Sequence, residues 1–395
     1  MLSSRSQRCA AVVAVAALAL AGCAESDSGG DAGGDDTGPI KIGAVLDITG
    51  AGASLGVPER KTLEMLAKQV NADGGIDGRK VELIIEDNQS TEDAAAKAAT
   101  KLVTEEDVDI LLGASRTGPS LAMRPIAESN KVPMVSLAAN EKIVTDSKWV
   151  YKTAQNDSVV LENIVDLAAE KGWKTLSLIR DASAFGEGIQ EMLAKLGKPK
   201  GIKIVTTEKF APDASDFTAQ MVKVRNARAD VNLIWGIPPA AALAQKAYAQ
   251  LSLDAPVIQS HGIGNQVFLD TAGKSADGLF APLGRLVVAD QLPQDDPQKP
   301  VIEKFVKEYT DAYDEKPSTF AGHAYDAFTI SMQAIDKVGT DPEKVRDYLE
   351  NLDGFVGITG VFNFSADDHS GLDKTALAIV TVKGGAWNLV DANRD

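Results

Sequence analysis

The sequence predicts an α/β protein of two similar lobes, each a doubly wound parallel sheet, with the chain crossing between them more than once. Three observations carry this expectation. From Ile40 onward short apolar runs alternate with amphipathic segments, the pattern of strands joined by helices in parallel sheets. The alternation restarts after Asp157, giving two runs rather than one. The chain has 395 residues, more than a single core ordinarily holds.

The elements follow in order. "IKIGAVLDI" (40–48) reads as a buried strand, and "PERKTLEMLAKQVNADGG" (58–75) as a helix with Leu63, Leu66, Ala67 and Val70 on one face and glycines at its end. "VELIIED" (81–87) is the next strand. Ser90 and Asp93 then offer a capping box for a helix running toward Glu105. "VDILLGA" (108–114), a helix from about Pro119 to Asn130, and "VPMVS" (132–136) continue the pattern. After Asp157 come a helix to about Lys171, strand "TLSLI" (175–179), a helix after Gly186 and strand "IKIV" (202–205). A helix from about Ser215, strand "VNLIWG" (231–236), an alanine-rich helix and strand "PVIQS" (256–260) complete the second run. Helical segments beyond Pro297, including 319–338 and 341–351, are accommodated if the chain returns between lobes. In such folds ligands bind beyond the carboxyl ends of strands, where helix N-termini point their N–H groups; two lobes with facing strand ends make a cleft.

The chain opens with Arg5 and Arg8 before an uncharged run from Cys9 to Ala24, the layout of a secretory signal peptide and too short for a spanning helix. Leu20-Ala21-Gly22-Cys23 resembles the lipobox of bacterial lipoproteins, in which the cysteine receives a diacylglycerol and becomes the first residue. The expectation is therefore a signal peptide over 1–22 and a lipidated Cys23. Residues 24–38, "AESDSGGDAGGDDTG", hold no large apolar side chain and read as a flexible tether, with a root-mean-square span of roughly 20 Å. The net charge of −16, with no basic stripe, argues against nucleic acid. Cys9 and Cys23 are the two cysteines, so an exported, processed body would be held by packing without disulfides.

Four stretches, in this order and spacing, resemble the leucine/isoleucine/valine-binding family of extracytoplasmic solute-binding proteins. They are "IKIGAVLDITGAGASLG" (40–56), "VNADGGIDGRKVELIIEDNQS" (70–90), "DASAFGEG" (181–188) and "HAYDAF" (323–328). The resemblance implies the type I periplasmic binding fold with a multi-strand hinge. Lobe 1 would comprise 39–158 and 285–362, and lobe 2 would comprise 159–284 and 363–395. It also implies delivery of a small ligand to an ABC permease and ATPase in the membrane, no cofactor, and a monomer. Lipid on Cys23 would then keep the protein at the outer face of the cytoplasmic membrane. A membrane-tethered sensor of the same fold is the alternative role.

In this family lobe 1 holds the ligand's carboxylate through hydroxyls and backbone N–H groups of two loops, which match "GASRTGPS" (113–120) and "SLAAN" (136–140). The match gives Thr117 the hydroxyl position and Ala138 a backbone N–H, with Ala139 beside it and Asn140 where a threonine is usual. Arg116 either reinforces the anion site or is a solvated loop arginine, and Thr117 could also be a helix N-cap. In lobe 2 the family's ammonium-binding acid falls on His261, and aromatic hydroxyl positions fall on Leu55 and Ile237, with Phe185 at another. An ammonium without a carboxylate partner in a dry cleft is unfavourable. The expectation is an apolar pocket of Leu55, Phe185, Ile237 and Phe320 with one anion end: a branched-chain or aromatic acid rather than an amino acid. Binding of an amino acid, as in the parent family, is the alternative, with Asp47 or Asp181 supplying the carboxylate. His261 would donate to a ligand oxygen or be satisfied by backbone. His323 reads as a packing residue and His369, in "SADDHSG", as solvated. No motif supplies nucleophile, base and orienter together, so catalysis and a metal site are not expected.

Overall fold

The computed structural model describes residues 38–391; the expected signal peptide, Cys23 and nearly all of the expected tether lie outside them. The first run builds β1 (Ile40–Leu46), α1 (Ala53–Ala72), β2 (Val81–Asp87), α2 (Glu92–Thr104), β3 (Ile110–Gly113), α3 (Thr117–Asn130), β4 (Met134–Ser136) and β5 (Val150–Lys152). Its strands form one parallel sheet in the order β2-β1-β3-β4-β5. The second run builds α4 (Asp157–Glu170), β6 (Thr175–Asp181), α5 (Ile189–Gly197), β7 (Lys203–Phe210), α6 (Thr218–Ala227), β8 (Val231–Trp235), α7 (Ala240–Ala249), β9 (Val257–Gln259), α8 (Gln266–Ala272) and β10 (Phe280–Gly284). Then follow α9 (Lys299–Tyr313), α10 (Thr319–Val338), α11 (Pro342–Glu350), a short hairpin of β11 (Phe355–Val356) and β12 (Val361–Phe362), β13 (Leu377–Lys383) and β14 (Ala386–Asp391).

The second sheet runs β14-β13-β10-β9-β8-β6-β7. The two C-terminal strands depart from the expected all-parallel arrangement: β13 pairs antiparallel to β10, and β14 antiparallel to β13. Gly384 and Gly385 turn between them with φ of 57° and 78°, conformations that glycine adopts without steric cost.

Strand alternation sorts each core into two layers. In the first sheet Ile42, Ala44, Leu46, Ile110 and Leu112 face α1 and α10. Val45 and Leu111 face the alanine-rich side of α2 and α3. In the second, Leu176, Leu178 and Leu233 pack against α4 and α5, while Ile179 and Ile234 pack against α6 and α7. Central strands β3 and β8 are buried at every residue, which is why they read as continuous apolar runs.

Two helix starts differ from the sequence expectation. Helix α1 begins at Ala53, so Pro58 lies inside it. The missing Pro58 N–H leaves the Ser54 carbonyl without its helical donor, and the Asn265 side-chain amide approaches that oxygen at 3.5 Å. Helix α2 is capped not by Ser90 but by Thr91, whose side chain accepts from the Ala94 N–H at 3.3 Å. Ser90 instead bridges the loop after β1, accepting from Gly52 N–H and donating to the Thr49 carbonyl.

The chain passes between the sheets after β5, after β10 and after β12, and these passages are tied together. Thr153 donates to the His323 carbonyl at 2.9 Å and Gln155 to the Thr359 carbonyl at 2.9 Å. Buried Asp326 accepts the N–H groups of Ile358 and Thr359, both at 2.7 Å. Arg285 pairs with Asp296 and donates to the Thr375 carbonyl. His369 is not solvated as its polar turn suggested: it is buried, stacked on Tyr151 at 4.1 Å, with Nδ1 3.0 Å from the Val150 carbonyl oxygen. The turn carrying it folds back onto β5, so its surroundings come from residues more than two hundred positions away.

Candidate ligand-binding site

Every loop expected to face the ligand leaves the carboxyl end of a strand, and the two sets of loops meet. Around them lies a cleft. From the first lobe come Ser115, Arg116 and Thr117 after β3, and Leu137, Ala138 and Ala139 after β4. From the second come Asp181, Ser183 and Phe185 after β6, Ile237 after β8, and His261 and Gly262 after β9. Leu55 of α1 and Phe320 and His323 of α10 complete the wall.

The first-lobe wall is polar and built on a helix start. Thr117 is the first residue of α3, and Arg116 holds the cap position without a side-chain cap bond; Thr117 is therefore not the N-cap. The N–H groups of Thr117 and Gly118 have no intrahelical acceptor, as in the first turn of any helix. Arg116 is not a solvated arginine. Its Nε donates to buried Asp47, and Asp47 also accepts from Asn88 Nδ2 at 2.7 Å. Ser115, which the sequence reading did not single out, accepts from the Asp47 N–H at 3.0 Å and shares a hydrogen bond with Glu59 Oε2. Its position two residues before Thr117 in the same loop was the available signal.

Two expectations on the neighbouring loop change. The Ala138 N–H is engaged within its own loop, donating to Ser136 Oγ at 3.2 Å. Asn140 does not line the cleft: it accepts from the Lys142 N–H and donates to Asp157 at 3.1 Å. The carboxamide of Asn140 reaches further than a threonine hydroxyl and is taken up by these two partners.

The rest of the lining, drawn from both lobes, is largely apolar with two imidazoles, His261 and His323. Leu55, Ile237 and Phe320 form a buried cluster with Phe185 against it. His261 stands edge-on to Phe185 at 5.5 Å and to Trp235 at 5.7 Å, and its Nδ1 has no protein hydrogen-bond partner. Burial pushes His261 down to about 3, with neighbouring His323 and Lys152 adding to the effect. His323 is likewise pushed down to about 3 by burial; its Nδ1 lies 3.3 Å from Thr359 Oγ1. Both rings are therefore neutral at neutral pH. Asp181 is the one carboxylate in the wall. Burial raises its carboxyl, while bonds from the Ser183 N–H and hydroxyl oppose the rise. Among the described residues no group of His, Cys, Asp and Glu could hold a metal ion, and no helix is long and apolar enough to cross a membrane.

A two-lobed α/β body with its cleft at facing strand ends fits the expected family, and direct comparison decides it. The profile of the periplasmic binding protein family matches residues 39–386. The chain belongs to that family. Within it the chain is 28% identical over 339 residues to the leucine-, isoleucine-, valine-, threonine- and alanine-binding protein of Pseudomonas aeruginosa, covering 85% of this chain and 86% of that one. An extracellular ligand-binding receptor from Rhodopseudomonas palustris HaA2 superposes with a TM-score of 0.84 at 31% identity, covering 89% and 99% of the two chains. The isoleucine complex of the branched-chain amino acid transporter substrate-binding protein of Streptococcus pneumoniae gives 0.78 at 25% identity, covering 89% and 99%. As a periplasmic binding protein of the leucine/isoleucine/valine-binding branch, the chain is a substrate-binding protein of the ABC-transporter type, in a family of solute-binding proteins that work outside the cytoplasm.

Proposed function

We propose that this protein captures a small organic carboxylate without an α-ammonium, of branched-chain or aromatic shape, for an ABC importer. The observation that carries the reading is the asymmetry of the cleft. One wall offers hydroxyls and helix-start N–H groups; the other offers Leu55, Phe185, Ile237 and a neutral His261. Neutral donors hold a carboxylate without a counter-ion, while the apolar side chains and the neutral imidazole give an ammonium no counter-charge; Asp181 is the one carboxylate in the lining. The bodies that close are 39–158 with 285–362 and 159–284 with 363–395, moving about the tied crossings. Closure dries the cleft and strengthens each polar contact inside it. Lipid on Cys23 holds the monomer beside the permease and its ATPase.

Asp181 favours a second reading. Its carboxylate lines the cleft, and it would pair with the ammonium of an amino acid such as those bound by the Pseudomonas relative. A thermal-shift panel separates the two. It sets leucine, isoleucine, valine and phenylalanine against their keto and deaminated counterparts. A compound at a hundred times its dissociation constant adds about 2.7 kcal/mol, several degrees in melting temperature. Shifts with the keto or deaminated acids support the first reading. Shifts confined to the amino acids overturn it and assign Asp181 the ammonium.

A further inference from the structure

Behind the polar wall lies a carboxyl group with no role in the site described so far. Glu59 is one turn beyond Leu55 on the same face of α1, and it is fully buried. Its Oε2 meets the Ser115 hydroxyl, and its Oε1 has no hydrogen-bond partner. Asp47 beside it is fully answered, by Arg116 on one oxygen and Asn88 on the other. Glu59 has no ion pair among the described residues.

We propose that Glu59 is a positioning residue for the anion site: holding a proton, it donates to Ser115 and so turns the Ser115 hydroxyl hydrogen into the cleft, toward a ligand carboxylate.

The argument is one of lone pairs. A serine hydroxyl has one hydrogen to give and two lone pairs to accept with. Ser115 Oγ already accepts from the Asp47 N–H at 3.0 Å. With a proton on Glu59 Oε2, the contact between the two side chains runs from Glu59 to Ser115, both lone pairs are filled, and the hydroxyl hydrogen has only the cleft to point into. With Glu59 ionised the bond reverses. The hydrogen is drawn back to the glutamate, a lone pair faces the ligand, and a second negative charge stands behind it. Burial holds the Glu59 carboxyl well above the ordinary range; the Ser115 hydrogen bond opposes the rise and the nearby Asp47 charge adds to it, a net direction that favours the protonated form.

The groups around Glu59 leave it as the titrating element. Asp47 comes from the end of β1, and Ser115 and Arg116 from the loop after β3; the Arg116 charge is engaged by Asp47. On α10, which packs on α1, His323 faces Thr359, Asp326 holds the Ile358 and Thr359 N–H groups, and Tyr325 stacks on Phe305. Across the cleft Asp181 also titrates, but it is common to the proteins compared below.

This inference rests on the carboxylate reading of the cleft, not on the absence of an ammonium. The test is calorimetry with two probes, 4-methyl-2-oxopentanoate and leucine, from mildly acidic to alkaline pH. For wild type the affinity should fall by about tenfold per pH unit once Glu59 ionises. Glu59→Gln, whose amide donates to Ser115 at every pH, should lack that fall and keep the low-pH affinity within a few-fold. Equal pH profiles for wild type and Glu59→Gln would overturn the proposal. A second measurement needs no ligand: infrared spectroscopy of the free protein at neutral pH. A protonated-carboxyl band absent from Glu59→Gln and displaced by Ser115→Ala supports the arrangement. No such band, or one indifferent to Ser115→Ala, overturns it. If neither probe binds, the carboxylate reading falls with those probes and the infrared result alone decides the Glu59–Ser115 bond.

Discussion

Replacing Thr117 by valine isolates one hydroxyl of the wall proposed to hold the carboxylate. The side chain is buried and lines the cleft, and valine reproduces its branched shape and its restricted rotamers. In many proteins a threonine at a helix start is the cap, and losing it destabilises by about 1 kcal/mol. Here the cap position belongs to Arg116 and carries no side-chain cap bond, so that loss does not arise. The ligand-free protein should therefore keep its stability to within about 0.5 kcal/mol, the range for substitutions that break no named interaction. Binding should behave differently. A hydrogen bond from a neutral donor to a charged oxygen contributes about 1.5–3 kcal/mol, so the dissociation constant should rise roughly ten- to 150-fold. Calorimetry with 4-methyl-2-oxopentanoate or leucine measures the second quantity and urea unfolding the first. Thr117→Ser, which restores the hydroxyl, should recover most of the affinity. An affinity unchanged by Thr117→Val, with unfolding also unchanged, would place the carboxylate away from the start of α3.

Three further outcomes are expected. His261→Glu puts a carboxylate between Phe185 and Trp235, and should raise the preference for leucine over its keto acid by about tenfold or more, in proportion to the cost of leaving a buried polar group unpaired; an unchanged ratio would mean His261 does not face the ligand's far end. His261 and His323, both held near 3 against an ordinary value of 6.5, should make stability fall as pH drops from about 6.5 toward 3. The unfolded chain takes protons there that the folded chain refuses, by up to about 1.4 kcal/mol per pH unit for each ring, and His261→Gln should show a shallower fall in urea midpoints. Cys23→Ser should abolish fatty-acid labelling and leave protein unprocessed or released, whereas equal labelling of wild type and variant would refute lipidation at that residue.

The parts of the fold that were legible are those whose burial is symmetrical or whose turn chemistry is local. "VDILLGA" and "VNLIWG" stand out because β3 and β8 are covered on both faces, leaving no polar residue to blur the run. The late helices at 319–338 and 341–351 were legible as helical segments, and local caps support them: Ser318 caps α10 and Asp341 caps α11. The start of α1 was hidden by Pro58, which usually marks a first turn; inside the helix it frees the Ser54 carbonyl, which the side chain of Asn265, from a distant loop, approaches. The C-terminal hairpin was not hidden. "ALAIVTVKGGAWNLV" alternates around a Gly-Gly turn, a direct hairpin signal, and the strand–helix rhythm of the preceding residues obscured it.

The site divides along the same line, with a consequence for how the protein releases what it holds. Loop residues such as Thr117, Phe185 and His261 were reached through the family resemblance, which aligns short loops that follow strands directly. Their polar partners could not be read: Asp47 and Arg116 are 69 residues apart, and Glu59 and Ser115 are 56 apart, pairings that no local pattern encodes. Yet those pairings decide the strength of the wall. A free guanidinium facing a carboxylate at about 4 Å would contribute on the order of 4 kcal/mol at the effective dielectric of a partly exposed site, slowing dissociation by nearly a thousandfold, since affinity differences between related complexes lie mostly in the off-rate. With Arg116 turned onto Asp47, the wall presents hydroxyls and N–H dipoles instead of a net cation. On the carboxylate reading, dipoles would hold the ligand while the lobes are closed and dry, and weaken when opening readmits water. For a subunit whose cargo must pass to a transporter, that is the more useful arrangement.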